Sequence, residues 1–148
     1  MPARKVARKA ARKKRAPKPS SRGYSARPLA AKLGIKAGVP TAIIGAPGGF
    51  ENLIGLPEFD SELNLEAYRY LHFFTTSRLA LEAIVPILAK RLERGGTLWI
   101  SWPKKSSGKQ TDLTENTVRS LGLATRLVDV KICAIDETWS ALKFMHRR

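Results

Sequence analysis

Leu81, Ile84, Val85, Leu88 and Leu92 recur at helical spacing, so one face of a helix following Ser77 is apolar and packs on something flat. Ser77 is suited to cap that helix, and Gly95-Gly96 is expected to end it, because glycine takes the left-handed cap at little steric cost. Pro86 lies inside it without a backbone donor, which predicts a kink or a break. Residues 97–102 (TLWISW) then read as a strand buried on both faces, and residues 103–109 (PKKSSGK) as a basic loop. A helix feeding such a strand is half of a βαβ unit, which points to an α/β sheet.

The other elements fall around this core. Residues 25–33 form a short helix with Pro28 in its first turn and Gly34 at its end. Residues 39–45 (VPTAIIG) are an apolar run bounded by turn residues, expected in the centre of the sheet, and residues 46–49 are the turn after it. Residues 50–56 suit a short helix. Residues 57–65 are irregular, with at most a small strand over 62–65. Residues 68–74 (YRYLHFF) are aromatic and strand-like. Residues 112–115 (DLTE) resemble a capping box with Asp112 in the cap position, opening a helix that runs to about Leu121 and stops at Gly122. Residues 127–134 alternate, with Val128, Val130 and Ile132 opposed to Asp129 and Lys131, and residues 138–145 alternate too. Their short connection makes them a hairpin. The expected sheet has five or six strands, mostly parallel, with the carboxyl-terminal strand antiparallel.

Charge divides the chain. Of 27 Lys and Arg, ten fall in residues 1–22, which hold no acid, and the first acid anywhere is Glu51. The remaining 126 residues carry 17 bases against 12 acids, or +5 of the total +15. Residues 1–22 are therefore expected to be a disordered basic tail, and residues 23–148 the folded domain. Such a tail suits non-specific phosphate contacts to DNA or RNA through Arg4, Lys5, Arg8, Lys9, Arg12, Lys13, Lys14, Arg15 and Lys18. A solubilising tail or a removed targeting peptide would have the same composition. The single cysteine, Cys133, excludes an intrachain disulfide and a multi-cysteine zinc site. No apolar run is long enough to span a bilayer and no secretory leader is evident, so a cytoplasmic, non-membrane protein is expected.

In an open parallel sheet, ligands bind outside the carboxyl ends of the strands. The loops expected at that edge supply the candidate ligand site: Gly45, Gly48 and Gly49, then Ser77, then Trp102, Lys104, Lys105, Ser106 and Lys109, and finally Asp136 and Glu137. The lysines and the glycine turn suit an anionic small molecule. The competing readings are a plain tight turn at Gly48-Gly49, a solvated lysine loop, and an Asp136-Glu137 turn. His72 in its aromatic strand reads as a structural residue and His146 as solvated. No histidine pair, metal-ligand cluster or nucleophile with a base emerges, so neither a catalytic residue nor a cofactor can be named.

Two resemblances attach to these residues. The stretches YSARPLAAKLGIK, TLWISWPKKSSG, TDLTE and VDVKICAIDETWSALKF resemble an uncharacterised, actinobacterial-type bacterial family, the one catalogued as domain of unknown function 3052. That resemblance supplies no activity. More loosely, the arrangement is similar to class I S-adenosylmethionine-dependent methyltransferases. It would place their glycine-rich turn on Gly45, Gly48 and Gly49, their helix and buried strand on residues 79–100, and their closing hairpin on residues 128–144. About twenty residues separate the first strand from the aromatic one, too few for two full βα units, and the acid that would bind the cofactor ribose has only Glu58, Asp60, Glu62 and Glu66 nearby. A truncated, methyltransferase-like Rossmann core in three layers is implied. The function expected on these grounds is a non-catalytic binding or regulatory module with a basic polyanion-binding arm. The alternative is a small or degenerate S-adenosylmethionine- or nucleotide-binding transferase.

Overall fold

A computed structural model describes residues 28–56 and 58–148. In chain order the elements are α1 (Leu29–Leu33), β1 (Thr41–Ile44), α2 (Phe50–Ile54), β2 (Tyr68–Phe74), α3 (Arg78–Arg91), β3 (Leu92–Pro103), a 3-10 turn (Lys105–Ser107), α4 (Glu115–Leu123), β4 (Leu127–Ala134) and β5 (Trp139–His146). The expected basic tail over residues 1–22 lies outside the described residues, as do the first three residues of the helix expected over 25–33.

The strands form one five-stranded sheet in the order β1-β2-β3-β5-β4. β1, β2 and β3 are parallel, and β5 is antiparallel to both β3 and β4. Only β5 is therefore reversed, giving the mostly parallel Rossmann-like sheet with an antiparallel carboxyl-terminal strand that the pattern predicts. α3 and α4 cover one face over Leu71, Phe73, Leu98, Ile100, Trp102, and Phe144. α1 and α2 pack on the other, over Ile43, Tyr70, Phe74, Trp99 and Trp139. Trp99 donates its indole N–H to the Leu33 carbonyl at 2.8 Å, which ties α1 to the central strand. Among the described residues no helix is long and apolar enough to cross a membrane.

One polar chain runs through the second core. His72 is fully buried; its Nε2 lies 2.7 Å from Ser101 Oγ and its Nδ1 lies 3.1 Å from Tyr70 Oη. A neutral imidazole has one donor and one acceptor, and each hydroxyl can take either role, so the chain is satisfied without charge. Burial pushes the His72 pKa down to about 3. The expectation of a structural histidine holds.

Several local expectations are corrected. The helix after Ser77 ends at Arg91, not at Gly95-Gly96, and Leu92 is already extended. The glycines sit inside β3, where the register jumps: Tyr68 pairs with Leu92 but Tyr70 with Thr97. Gly95 adopts φ +83°, and a Cβ on Gly96 would stand 2.8 Å from the Arg69 carbonyl oxygen, so the pair makes a bulge against β2. Pro86 does not break α3; it is exposed and faces away from the sheet. β1 is an edge strand rather than a central one, and the small strand expected over 62–65 is absent. In its place Asp60 bridges to β1, with Ile43 N–H donating to the Asp60 carbonyl at 2.8 Å and Asp60 N–H to the Thr41 carbonyl at 2.9 Å. In β4 a bulge between Asp129 and Lys131 breaks the alternation: Val128 pairs with Met145 but Ile132 with Leu142, on the opposite face. Val130 and Ile132 are consequently about half exposed, at 47% and 49%.

α4 begins two residues later than the capping box suggests. Thr114, not Asp112, caps it by accepting from Thr117 N–H, and the helix passes through Gly122 to Leu123. Gly122 is buried, and a Cβ there would stand 2.2 Å from the Phe144 ring. The glycine is a packing requirement, not a stop.

Gly122→Ala tests that reading. Helix propensity alone would stabilise the variant by about 1 kcal/mol. Overpacking against a fully buried ring costs about 1–3 kcal/mol, and the contact is deep enough to place this site at the upper end. Urea unfolding should show the variant less stable by about 1–2 kcal/mol; a gain would show that Phe144 yields freely. A second test uses pH. His72 stays neutral in the folded protein down to about pH 3, while in the unfolded chain it protonates near 6.5. The unfolded state thus binds the extra proton, and folding loses about 1.4 kcal/mol per pH unit as pH falls from 6.5 towards 3. The stability difference between the parent and His72→Gln should shrink by that slope between pH 6 and 4. A constant difference would mean His72 is protonated in the fold.

Candidate functional site

β1, β2, β3 and β4 all point their carboxyl ends at one edge of the sheet, so the turns that follow them gather there: residues 45–49, 75–77, 104–112 and 135–138. The three glycines of the first turn differ in what the fold requires of them. Gly45 has φ +74°, and a Cβ on it would stand 2.7 Å from the Phe74 carbonyl oxygen, so it allows β1 and β2 to close on each other. Gly49 has φ +89° and caps α2. Gly48 is outside the left-handed region, is exposed, and a Cβ on it would meet nothing within 4 Å. The chain's own packing gives no reason for glycine at 48.

The next turn is closed to anions. Ser77 Oγ accepts from Ala80 N–H at 3.1 Å, and Asp112 Oδ1 accepts from Arg78 N–H at 2.7 Å. Two donors at the start of α3 are thus occupied, one by a carboxylate from the loop after β3. Thr111 strengthens the junction by donating its hydroxyl to the Thr76 carbonyl at 2.6 Å. Neither Thr111 nor Asp112 was legible as a partner of α3, because the DLTE pattern assigns Asp112 to the helix behind it. The only signal for the other role is an Asp placed two residues too early to cap α4.

The lysine loop separates into recesses. Lys104, Ser106, Ser107, Glu137 and Thr138 line one of about 450 Å³. Trp102, Lys104, Lys105, Thr114, Glu115 and Ile132 line much of a second, of about 430 Å³. Ser77 with Gln110, Thr111 and Asp112 borders a third, of about 420 Å³. Lys104 stands between the first two, half buried and fixed by its backbone N–H on the Thr138 carbonyl at 2.8 Å. Lys105 and Lys109 are exposed, as is Ser106. The lining of these three recesses includes none of Gly45, Gly48 and Gly49. Trp102 is 5% exposed and belongs to the core under α3 and α4, showing only an edge to its recess. Asp136 makes the hairpin turn, its Oδ1 accepting from Thr138 and Trp139 N–H, each at 2.8 Å.

A larger groove, of about 960 Å³, lies at the amino end of β1. Its walls include Pro40 and Thr41, Glu51 and Asn52 of α2, and Glu58 and Asp60. Tyr68 donates its hydroxyl to Asp60 at 2.5 Å and accepts from Asn64 and Leu65 N–H. Burial, followed by the bond to Asp60, raises the Tyr68 pKa. Asp60 is thereby committed to holding residues 60–68 against β1. Among the described residues no group of three or more His, Cys, Asp or Glu is placed to hold a metal ion.

No family model and no curated protein matches the chain. Solved structures do. It is similar to magnesium protoporphyrin IX methyltransferase (ChlM) from Synechocystis PCC 6803 with bound SAH, at 11% identity and a TM-score of 0.59 over 80% of this chain and 80% of that one. It is similar to precorrin-6y C5,15-methyltransferase from Geobacter metallireducens GS-15, at 9% identity and 0.57 over 80% and 86%. It is also similar to the N-methyltransferase NodS from Bradyrhizobium japonicum WM9, at 12% identity and 0.56 over 81% and 91%. The fold is Rossmann-like and resembles that of these S-adenosylmethionine-dependent methyltransferases. The expectation of a non-catalytic binding or regulatory module is therefore corrected: these likenesses to transferases favour the alternative reading.

Proposed function

We propose that the chain is a small transferase that binds an S-adenosyl or nucleotide-type ligand at the carboxyl edge of β1–β3. The observation that carries the reading is Gly48, a glycine after the first strand of a methyltransferase-like sheet for which the protein's own packing has no use. Backbone without a Cβ allows a ligand to approach closely. The fit to an S-adenosyl group is partial. The glycine turn suits it, whereas among the described residues no strand lies on the outer side of β1 to carry a ribose-binding acid, and Asp60 is engaged by Tyr68. No residue is assigned to the ribose. When bound, such a group supplies an electrophilic methyl. The chain's own contribution would be positional: Gly48 admits the ligand, Lys104 and Lys105 hold an anionic portion, and Trp102 walls the recess beside them. His72, sealed in the core, takes no part in proton transfer. Kinship with the bacterial family of the WPKK and AIDETWS strings and a cytoplasmic setting belong to the same proposal; neither names a substrate.

Gly48→Ala separates ligand binding from folding. Its Cβ enters open space at an ordinary φ, so the melting temperature should move by no more than about a degree or two. Calorimetric titration of the full chain with S-adenosylmethionine, S-adenosylhomocysteine and ATP should show binding of at least one, weakened tenfold or more by Gly48→Ala. Absence of heat and of tryptophan fluorescence change for all three would overturn the proposal. Lys104→Ala with Lys105→Ala should weaken an anionic ligand roughly tenfold, since each ammonium contributes on the order of 1 kcal/mol at a part-exposed site. Unchanged affinity would place the anion elsewhere.

A further inference from the structure

We propose that the groove beside β1 is the docking surface for the basic amino-terminal segment of the same chain, residues 1–22. The first observation is an imbalance of charge. Between Lys36 and Arg69 the chain has no Lys, Arg or His, yet it holds Glu51, Glu58, Asp60, Glu62 and Glu66. The second is that this charge has no ion pair among the described residues. The ion pairs among the described residues use Glu82, Glu93, Glu115 and Asp129. Glu51, Glu58, Glu62 and Glu66 are exposed, and none has an ion pair among the described residues.

The third observation is shape. The groove of about 960 Å³ borders the amino end of β1 beside the Asp60 bridge, and its wall mixes acids with apolar side chains such as Leu56, Phe59 and Leu65. Lysine and arginine suit such a surface because their stems lie on apolar atoms while the charged heads reach carboxylates.

The occupant follows from complementarity and connection. Residues 1–22 hold ten bases and no acid, the densest positive charge in the chain. The described chain begins at Pro28, directly before α1; α1 packs on α2, and α2 supplies Glu51 and Asn52 to the groove. A tether this short gives an effective concentration in the millimolar range, above that of any free partner of similar charge. A nucleic acid would be repelled by the same carboxylates. This inference is independent of the ligand reading, since the groove borders the amino end of β1 and the glycine turn follows its carboxyl end.

Zero-length carbodiimide cross-linking of the full chain, mapped by mass spectrometry, tests it. At low salt, Lys5, Lys9, Lys13, Lys14 or Lys18 should join to Glu51, Glu58, Glu62 or Glu66 at least fivefold more often than to the exposed Glu82, Glu115 or Glu137. The preference should collapse at about 0.5 M salt, where screening shortens the reach of exposed charges to a few ångströms. Mixing light and isotopically heavy protein distinguishes links within one chain from links between copies. Equal yields at all acids, or links found mainly between copies, would overturn the proposal.

Discussion

The hydrogen bond of 2.7 Å between His72 and Ser101 fixes the alignment on which the rest of the sheet depends. His72 pairs with Trp99, so Ser101 is its diagonal neighbour two residues along β3, on the same face. A slip of one residue would turn Ser101 to the α3 side, strand two buried polar groups, and exchange Trp99 with Ile100 between the cores. β3 carries that alignment outward, since it is paired on one side with β2 and on the other with β5. The indole of Trp99 reaches Leu33, and Trp102 reaches Leu113 and Val118 under α4. An apolar core alone would tolerate neighbouring registers; a buried imidazole with one satisfied geometry does not.

Much of this was legible because residues 97–102 of β3 and most of β2 are apolar and α3 buries residues at helical spacing. The aromatic strand matches β2 to the residue, and residues 127–134 match β4. What was missed has a common cause. Gly95-Gly96, Gly122 and Asp112 each follow a local rule that a distant contact overrides: the Arg69 carbonyl, the Phe144 ring and the start of α3. β1 looked central because it is apolar, but Asp60 and the α2 segment cover its outer side in place of a strand. Of the candidate site, convergence of four turns on one edge was readable from parallel order. Its division into separate recesses was not, because that depends on which loop caps which helix.

The Asp112 contact has a bearing on chemistry as well as stability. In a sheet of this kind the start of the helix after the second strand would be a natural anion site. A carboxylate from the neighbouring loop occupies it here, so under the proposed function the anion would fall to Lys104 and Lys105 instead. Under that proposal capping and ligand position are coupled: whatever loosens residues 109–112 would both fray α3 and open a competing site.

The place of β5 in the sheet also constrains how the chain can assemble as it is made. β4 is synthesised before β5 but has no other strand to join, because β5 stands between it and β3. A nascent chain that has reached Ala134 therefore holds a three-stranded parallel sheet with the outer side of β3 unpaired, and a β4 that cannot yet join it. Completion waits for Trp139–His146 to emerge and be inserted between two waiting edges. The emergence of β5 is then also the step that closes the core. Loss of the final strand would leave two disconnected pieces with exposed edges rather than a slightly smaller domain.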